Sequence, residues 1–78
     1  MKKRVYLTYP EESVKEPLLY QCSQRFKVVT NIRQATISEK IGLVAIELDG
    51  EPEEIEKALK FFSDNGVKVE PIEMDVIE

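Results

Sequence analysis

The chain has 78 residues and a mass of 9.0 kDa, which allows one domain with one hydrophobic core. Hydrophobic residues make up 42% of the sequence and charged residues 33%, a balance that indicates a globular module rather than a disordered tail. The net charge is -4, and the only tight basic cluster is Lys2-Lys3-Arg4. This charge pattern argues against a nucleic-acid interface.

The residue types that are missing exclude several chemistries. The sequence has no histidine and one cysteine, Cys22, so it contains no zinc-ligand spacing, disulfide, iron–sulfur motif or Cys-His nucleophile pair of its own. Its three glycines are too widely spaced for a phosphate-binding loop. We therefore expect no metal and no cofactor. No apolar run is long enough to cross a bilayer, and a strand-like segment follows the basic N-terminus, so we expect no membrane insertion and a cytoplasmic location.

The first half of the chain predicts a strand, a helix and a second strand. Alternating apolar residues ending at Pro10 predict a strand over Lys3 to Tyr9. Apolar residues at helical spacing then predict a short helix over Val14 to Arg25, with Pro17 in its first turn. The β-like run that follows predicts a second strand over Val28 to Ser38.

The second half predicts a strand, a helix and a strand. The third strand covers Gly42 to Asp49 and is joined to the second by a hairpin at residues 38–42. Pro52 marks the start of the second helix, and Asn65-Gly66 marks its end. Val67, Val69 and Ile72 indicate a last strand, in which Pro71 suits an edge or a strand end.

This βαββαβ order predicts an α+β, ferredoxin-like sandwich over residues 1–78. It has a four-stranded antiparallel sheet of strand order 4-1-3-2, both helices on one face and the second strand at an edge. Strand alternation separates the two faces of the sheet. The core face is expected to carry Val5, Leu7, Val44, Ile46 and Leu48, and the outward face Tyr6, Thr8, Asn31, Arg33, Leu43, Ala45 and Glu47. An outward face of this partly apolar kind suits a protein partner, a second copy of the chain or a small ligand.

Asn31 is unusual because asparagine is disfavoured in the middle of a strand. One interpretation is a ligand contact, and the other is that its side chain satisfies a neighbouring backbone group or accompanies a β-bulge. Cys22 lies on the apolar side of the first helix, where a free cysteine behaves as a small hydrophobe. The carboxylate pairs Glu11-Glu12 and Glu53-Glu54 have no nucleophile, histidine or metal set beside them, so we do not expect an enzyme.

Several segments along the chain together form a family pattern: Arg4-Val5-Tyr6-Leu7-Thr8-Tyr9, Pro17-Leu18-Leu19-Tyr20, Arg25-Phe26, Val29-Thr30-Asn31-Ile32, Gly42-Leu43, Glu47-Leu48-Asp49-Gly50 and Gly66-Val67-Lys68-Val69-Glu70. Through these segments the sequence resembles, over nearly its whole length, the NIL domain family. That family is named for an Asn-Ile-Leu motif and has a ferredoxin-like fold. It occurs at the C-terminus of methionine-importer ATPase subunits, where it binds methionine to inhibit uptake, and also alone or ahead of ferredoxin-type iron–sulfur domains.

The resemblance implies a ligand site at the motif. Asn31 and Ile32 match it, and the family's motif asparagine lies at the methionine site in the transporter branch. Arg33 replaces the motif leucine, and it could either clamp a carboxylate or point to solvent. The expected ligand-binding residues are therefore Asn31, Ile32 and Arg33. The segment 69–78 is similar to the branch that precedes a ferredoxin domain, here without following cysteines.

Three hypotheses about function follow. The first is a homodimeric sensor of methionine or a related sulfur-containing amino acid. The second is a module that docks, without a ligand, on a ferredoxin-like, transporter-type or sulfur-metabolism protein. The third is a purely structural dimerisation module. The sequence alone does not separate them.

Overall fold

The computed structural model describes residues 1–10, 17–38 and 40–72, and it confirms the predicted order of elements. The elements are β1 (Lys2–Tyr9), α1 (Leu18–Arg25), β2 (Val28–Ile37), β3 (Gly42–Gly50), α2 (Pro52–Asp64) and β4 (Lys68–Pro71). The first helix was predicted from Val14. It begins at Leu18, with Pro17 as its N-cap, and the predicted positions 14–16 lie outside the described residues.

The four strands form one antiparallel sheet in the order β2-β3-β1-β4. This is the predicted order 4-1-3-2 counted from the other edge, so the ferredoxin-like fold and the edge position of β2 are both confirmed. The predicted hairpin is also present. Ile37 lies opposite Gly42, and the Ser38 N–H donates to the Ile41 carbonyl at 2.8 Å to close the turn.

Both helices pack on one face of the sheet, and the core lies between them and the strands. The largest fully buried side chains are Phe62, Leu7, Ile46, Leu48, Ile55, Val5 and Cys22. All five residues predicted for the core face are buried. Cys22 is buried as predicted, and its burial raises the pKa of the thiol to about 11. A thiol this protected from ionisation is a packing group.

Helix α2 has start and stop signals that the sequence shows directly. Pro52 begins it, and Glu53 and Glu54 place negative charge in the first turn, where the helix dipole favours it. At its end Asn65 is the C-cap, and Gly66 follows with φ of 84°, a left-handed conformation that glycine adopts without steric cost.

The link between α1 and β2 is held against the start of α2. The Lys27 N–H donates to Glu54 Oε1 at 2.9 Å. Gly50 at the end of β3 lies so close that an added Cβ would be 2.8 Å from the Lys27 carbonyl oxygen. These two contacts set where β2 enters the sheet, and therefore which way its residues face. Neither described helix has the length and hydropathy that a membrane span requires.

Candidate functional site

The side of the sheet away from the helices is the candidate site, and we call it the open face. Strand pairing arranges its side chains in rows that cross the sheet. Neighbouring strands are about 4.8 Å apart, and successive rows on one face are about 7 Å apart. From one end of the sheet to the other, the rows are Val29-Asp49-Lys2, then Asn31-Glu47-Arg4, then Gln34-Ala45-Tyr6-Glu70, then Thr36-Leu43-Thr8-Lys68.

A surface cavity of about 290 Å³ lies over the last two of these rows, and we call it the open-face cavity. Ala45 lies at the centre of its row with only a methyl group, while larger side chains surround it, so the surface is depressed at that point. The cavity is lined by Tyr6, Gln34, Thr36, Leu43, Ala45 and Glu70. This lining mixes aromatic and aliphatic carbon with an amide, two hydroxyls and a carboxylate.

The structure corrects the expected exposure of Ala45 and Glu47. Both face the open side, as predicted, but Ala45 is only 7% exposed and Glu47 only 9%. The methyl of Ala45 lies below its taller neighbours, and Glu47 is held against Arg4. The exposed apolar part of the open face is therefore Tyr6 and Leu43, which are 41% and 43% exposed.

Glu47 accepts a hydrogen bond from Arg4 across β1 and β3, with Nε and Oε2 3.0 Å apart. That bond holds the pKa of Glu47 below its usual range, against the opposing effect of partial burial. The positive charges of Arg4, Lys2 and Arg33 lower the pKa further. The carboxylate is thus ionised at neutral pH and surrounded by cationic side chains.

The residues expected at the ligand site do not all lie on the same face of the sheet. Asn31 is exposed on the open face and lies opposite Glu47. Ile32 is paired with the core residue Ile46 and points to the helix side, where it is 59% exposed because the helices do not cover this part of β2. Arg33 has no register partner in β3, since a β-bulge separates Ile32 from Gln34. Ligand contact by these three residues stays a prediction.

The sequence interpretation missed Gln34, Thr36 and Glu70. Simple alternation from Asn31 places Arg33, Ala35 and Ile37 on the open face, but the bulge inserts one residue and reverses the alternation after it. Gln34 and Thr36 therefore face the cavity instead. Asparagine in a strand can accompany a β-bulge, but Asn31 itself is regularly paired with Glu47 and the bulge lies between Ile32 and Gln34.

A second cavity, of about 180 Å³, lies on the helix side between the start of α1 and the far end of the sheet. It is lined by Tyr9, Pro17, Leu18, Leu19, Tyr20, Ile37, Gly42 and Val44, which are mostly apolar. The Tyr9 hydroxyl is buried and finds no hydrogen-bond partner among the described residues. None of its described lining residues is charged, whereas the open-face cavity includes the Glu70 carboxylate.

The part of the chain that the structure describes contains no group of side chains that could hold a metal ion. Within residues 1–10, 17–38 and 40–72, no three His, Cys, Asp or Glu residues are grouped as a metal ion requires. The site is a surface of polar, aromatic and aliphatic side chains beside a cationic cluster.

Comparison with known proteins agrees with this architecture. The family model of the NIL domain matches residues 3–71. The methionine import ATP-binding protein MetN of Bacillus subtilis (strain 168) is 36% identical over 74 residues, which are 90% of this chain and 22% of that protein. MetN of Halalkalibacterium halodurans is 36% identical over 72 residues, covering 87% of this chain and 21% of that protein. The chain thus spans about a fifth of the length of these relatives.

A solved structure of similar shape is the C-terminal domain of an ABC transporter ATP-binding protein from Enterococcus faecalis. It has a TM-score of 0.81 and 28% sequence identity, and the match covers 90% of this chain and 82% of that one. The family match extends over most of the chain, and the strand order, helix placement and neighbouring structure agree with it. The chain belongs to the NIL domain family.

Proposed function

We propose that this chain is a regulatory domain that binds methionine or a related sulfur-containing amino acid on its open face, beside Asn31, and that it acts as a homodimer. Its relatives are named as methionine import ATP-binding proteins, and its structural neighbour is the C-terminal domain of a transporter ATP-binding protein. A domain that forms a separate end of such ATPases suits control of transport in response to the imported compound. The output partner is then a transporter-type ATPase.

The observation that supports this proposal most directly is the open-face cavity next to the Asn31 row. The Tyr6 ring, Leu43 and the Ala45 methyl offer an apolar surface for a thioether side chain. Gln34 and Thr36 offer hydrogen bonds, and Glu70 offers a carboxylate for an ammonium group. The volume of about 290 Å³ lies at the small end of ligand sites, which fits a ligand the size of one amino acid.

The homodimer is supported by the edge strand β2. An edge strand presents unpaired backbone groups that a second strand can pair with, and proteins usually protect such edges with charge or proline. The strand has no proline, and its one charged residue and its bulge, which also protects an edge, both lie at Arg33. Its apolar residues Val29, Ile32 and Ile37 are 62%, 59% and 68% exposed. Pairing of two β2 strands would bury part of this apolar surface.

Thermal unfolding of the purified chain with methionine, homocysteine and cysteine tests the proposal. A ligand that binds only the folded state stabilises it by about 2.7 kcal/mol at a hundredfold excess over the dissociation constant. We expect a selective, concentration-dependent rise in melting temperature that Asn31→Ala removes. The matched control is Gln24→Ala, which deletes an exposed amide on α1 and should leave the rise unchanged. An equal rise in Asn31→Ala would contradict the site.

A protein-interaction module is the second candidate, and the exposure of Tyr6 and Leu43 favours it. It predicts no shift with any amino acid and binding of a transporter or ferredoxin-like partner that Leu43→Glu abolishes. Ala45 is not a suitable position for that test, because it is buried and a charge there would also disturb the sheet. Ligand-dependent melting would favour the sensor, and ligand-independent partner binding would favour the module.

A further inference from the structure

We propose that Arg33 recognises the carboxylate of the amino acid bound on the open face, and that it thereby makes the domain selective for the free amino acid over derivatives that lack the carboxylate. This inference rests on the proposed function and adds a specificity residue to it. Three features support it: the bulged backbone at Arg33, the pairing of the neighbouring cations, and the position of Arg33 next to Gln34, which lines the open-face cavity.

The backbone at Arg33 departs from regular strand geometry. Ile32 is paired with Ile46 and Gln34 with Ala45, so Arg33 is the extra residue of a bulge on an edge strand. Bulges bend the strand and redirect a side chain, and they are common beside binding sites. Gln34, the residue after Arg33, lines the cavity. Asn31, two residues before Arg33, lies on the open face as Gln34 does. The backbone of Arg33 therefore lies between the Asn31 row and the cavity.

The region around Arg33 and the open-face cavity carry charges of both signs. Alternation from Asn31 puts Arg33 on the open face, and its charge contributes to the lowered pKa of Glu47. Lys2 and Arg4 act on Glu47 in the same way. Against these three cations stand Glu47, Asp49 opposite Lys2, and Glu70 in the cavity lining. Both signs of charge therefore surround the site, and an anionic group of a ligand needs a cation that is not already paired.

Arg33 is the guanidinium of this cluster that is available to a ligand. Arg4 already donates from Nε to Glu47 at 3.0 Å. Arg33 is exposed and makes no ion pair with any of the described residues. A guanidinium offers five donors in a planar fork that matches both oxygens of a carboxylate. The Arg33 guanidinium is thus unpaired among the described residues, and the next residue, Gln34, lines a cavity of amino-acid size. This arrangement suits recognition of a carboxylate.

The test compares binding of L-methionine and L-methioninamide by titration calorimetry at fixed ionic strength, with the homocysteine and cysteine pairs run in parallel. The amide keeps the side chain and ammonium group but has no carboxylate. We expect the wild-type chain to bind the acid about tenfold more tightly than the amide, the scale of one charged hydrogen-bonded pair. Arg33→Gln should lose most of this preference, and Arg33→Lys, which keeps the charge without the fork, should retain part of it.

Lys2→Gln is the matched control, because it removes one positive charge that also acts on Glu47 but lies two rows away from the cavity. It should keep the preference for the acid within about twofold, while a loss equal to that in Arg33→Gln would overturn the inference in favour of a general charge effect. If Arg33→Gln binds methionine with an unchanged preference, the inference is wrong and the proposed function stands. If the wild-type chain binds none of the three acids, both are overturned.

Discussion

Arg4 and Glu47 form the one ion pair on the open face among the described residues, with the Arg4 Nε donating to Glu47 Oε2 at 3.0 Å. The two residues are register partners in adjacent strands, so the pair fastens β1 to β3 beside the proposed site. The Glu47 side chain is 11% exposed, less than the other ion-paired carboxylates among the described residues. The bond also occupies Arg4, which leaves Arg33 as the guanidinium on the open face that makes no ion pair with a described residue.

Glu47→Gln should lower the melting temperature at neutral pH. The amide keeps the size of the side chain but loses the charge that the Arg4 hydrogen bond and three cations favour. The folded-state pKa of Glu47 is lowered, so its contribution to stability is present above the unfolded pKa of about 4.3 and is lost as pH falls through the folded pKa. Thermal unfolding between pH 3 and pH 7 should show the two proteins converging in acid.

Glu56→Gln is the control for that comparison. Its carboxylate lies 3.5 Å from the Lys3 ammonium, and its side chain is 69% exposed, so solvent screens the pair. Its melting temperature should stay close to wild type across the pH range. A Glu47→Gln protein that differs from wild type by the same amount at pH 3 and pH 7 would show that the Glu47 charge does not stabilise the fold.

Glu54→Ala should increase local opening of the backbone at Lys27, just before β2. The mutation removes the acceptor of the Lys27 N–H, a bond of 2.9 Å that is also the main cause of the lowered pKa of Glu54. Amide hydrogen exchange followed by NMR should show faster exchange at Lys27, because its N–H is then left to solvent. Glu53→Ala is the control, since Glu53 is exposed on the same turn and its side chain makes no hydrogen bond to the backbone of any described residue. Equal exchange at Lys27 in the two variants would contradict the role of Glu54.

The fold could be predicted almost completely because its signals are local. In β1, Val5, Leu7 and Tyr9 alternate with polar or less buried residues, and the helices are bounded by Pro17, Pro52 and Asn65-Gly66. These patterns follow from the backbone periodicity of each element, which does not depend on distant residues. Strand order then followed from the limited set of connections that a βαββαβ chain allows.

The candidate site was predicted only in part because its shape depends on contacts between strands. Alternation alone cannot show that a bulge at Arg33 reverses the direction of Gln34 and Thr36. It also cannot show that Ala45 lies at the bottom of a depression, which depends on Tyr6 from β1 and Gln34 from β2. Glu70 was missed for the same reason, since it reaches the cavity only through pairing of β4 with β1.

Tyr9→Phe should stabilise the chain by about 1 kcal/mol. The Tyr9 hydroxyl is buried with no partner among the described residues, and an unsatisfied buried hydroxyl costs free energy that phenylalanine avoids. Chemical denaturation at pH 7 measures the change. Tyr20→Phe is the control, because Tyr20 is 65% exposed and loss of its hydroxyl should change stability by less than about 0.5 kcal/mol.

Alkaline unfolding gives an independent check on Tyr9. Burial, with a smaller effect of Cys22, raises the pKa of Tyr9 to about 12 from its ordinary value near 10. The unfolded chain therefore loses this proton first, and the stability that Tyr9 contributes falls as pH rises from about 10 to about 12. Tyr9→Phe should flatten the decline over this range. A decline equal to that of wild type would mean that Tyr9 ionises freely in the folded state.

Gly50→Ala should destabilise the chain although Gly50 is only partly buried. An added Cβ would lie 2.8 Å from the Lys27 carbonyl oxygen and 3.1 Å from Val28 Cγ1. The first of these neighbours is backbone, so relief requires β2 and β3 to move apart at their first paired residues, Val28 and Gly50. Such overpacking costs about 1–3 kcal/mol, which chemical denaturation can resolve.

The control for Gly50→Ala is Glu51→Ala at the next position. Glu51 is exposed and is the N-cap of α2, but its side chain makes no capping hydrogen bond, so its loss should change stability by less than about 0.5 kcal/mol. If Gly50→Ala were as stable as this control, the close approach of Lys27 to Gly50 would not constrain the strand. In that case the Glu54 bond to Lys27 would be the contact that fixes the start of β2, and Glu54→Ala should produce the larger loss.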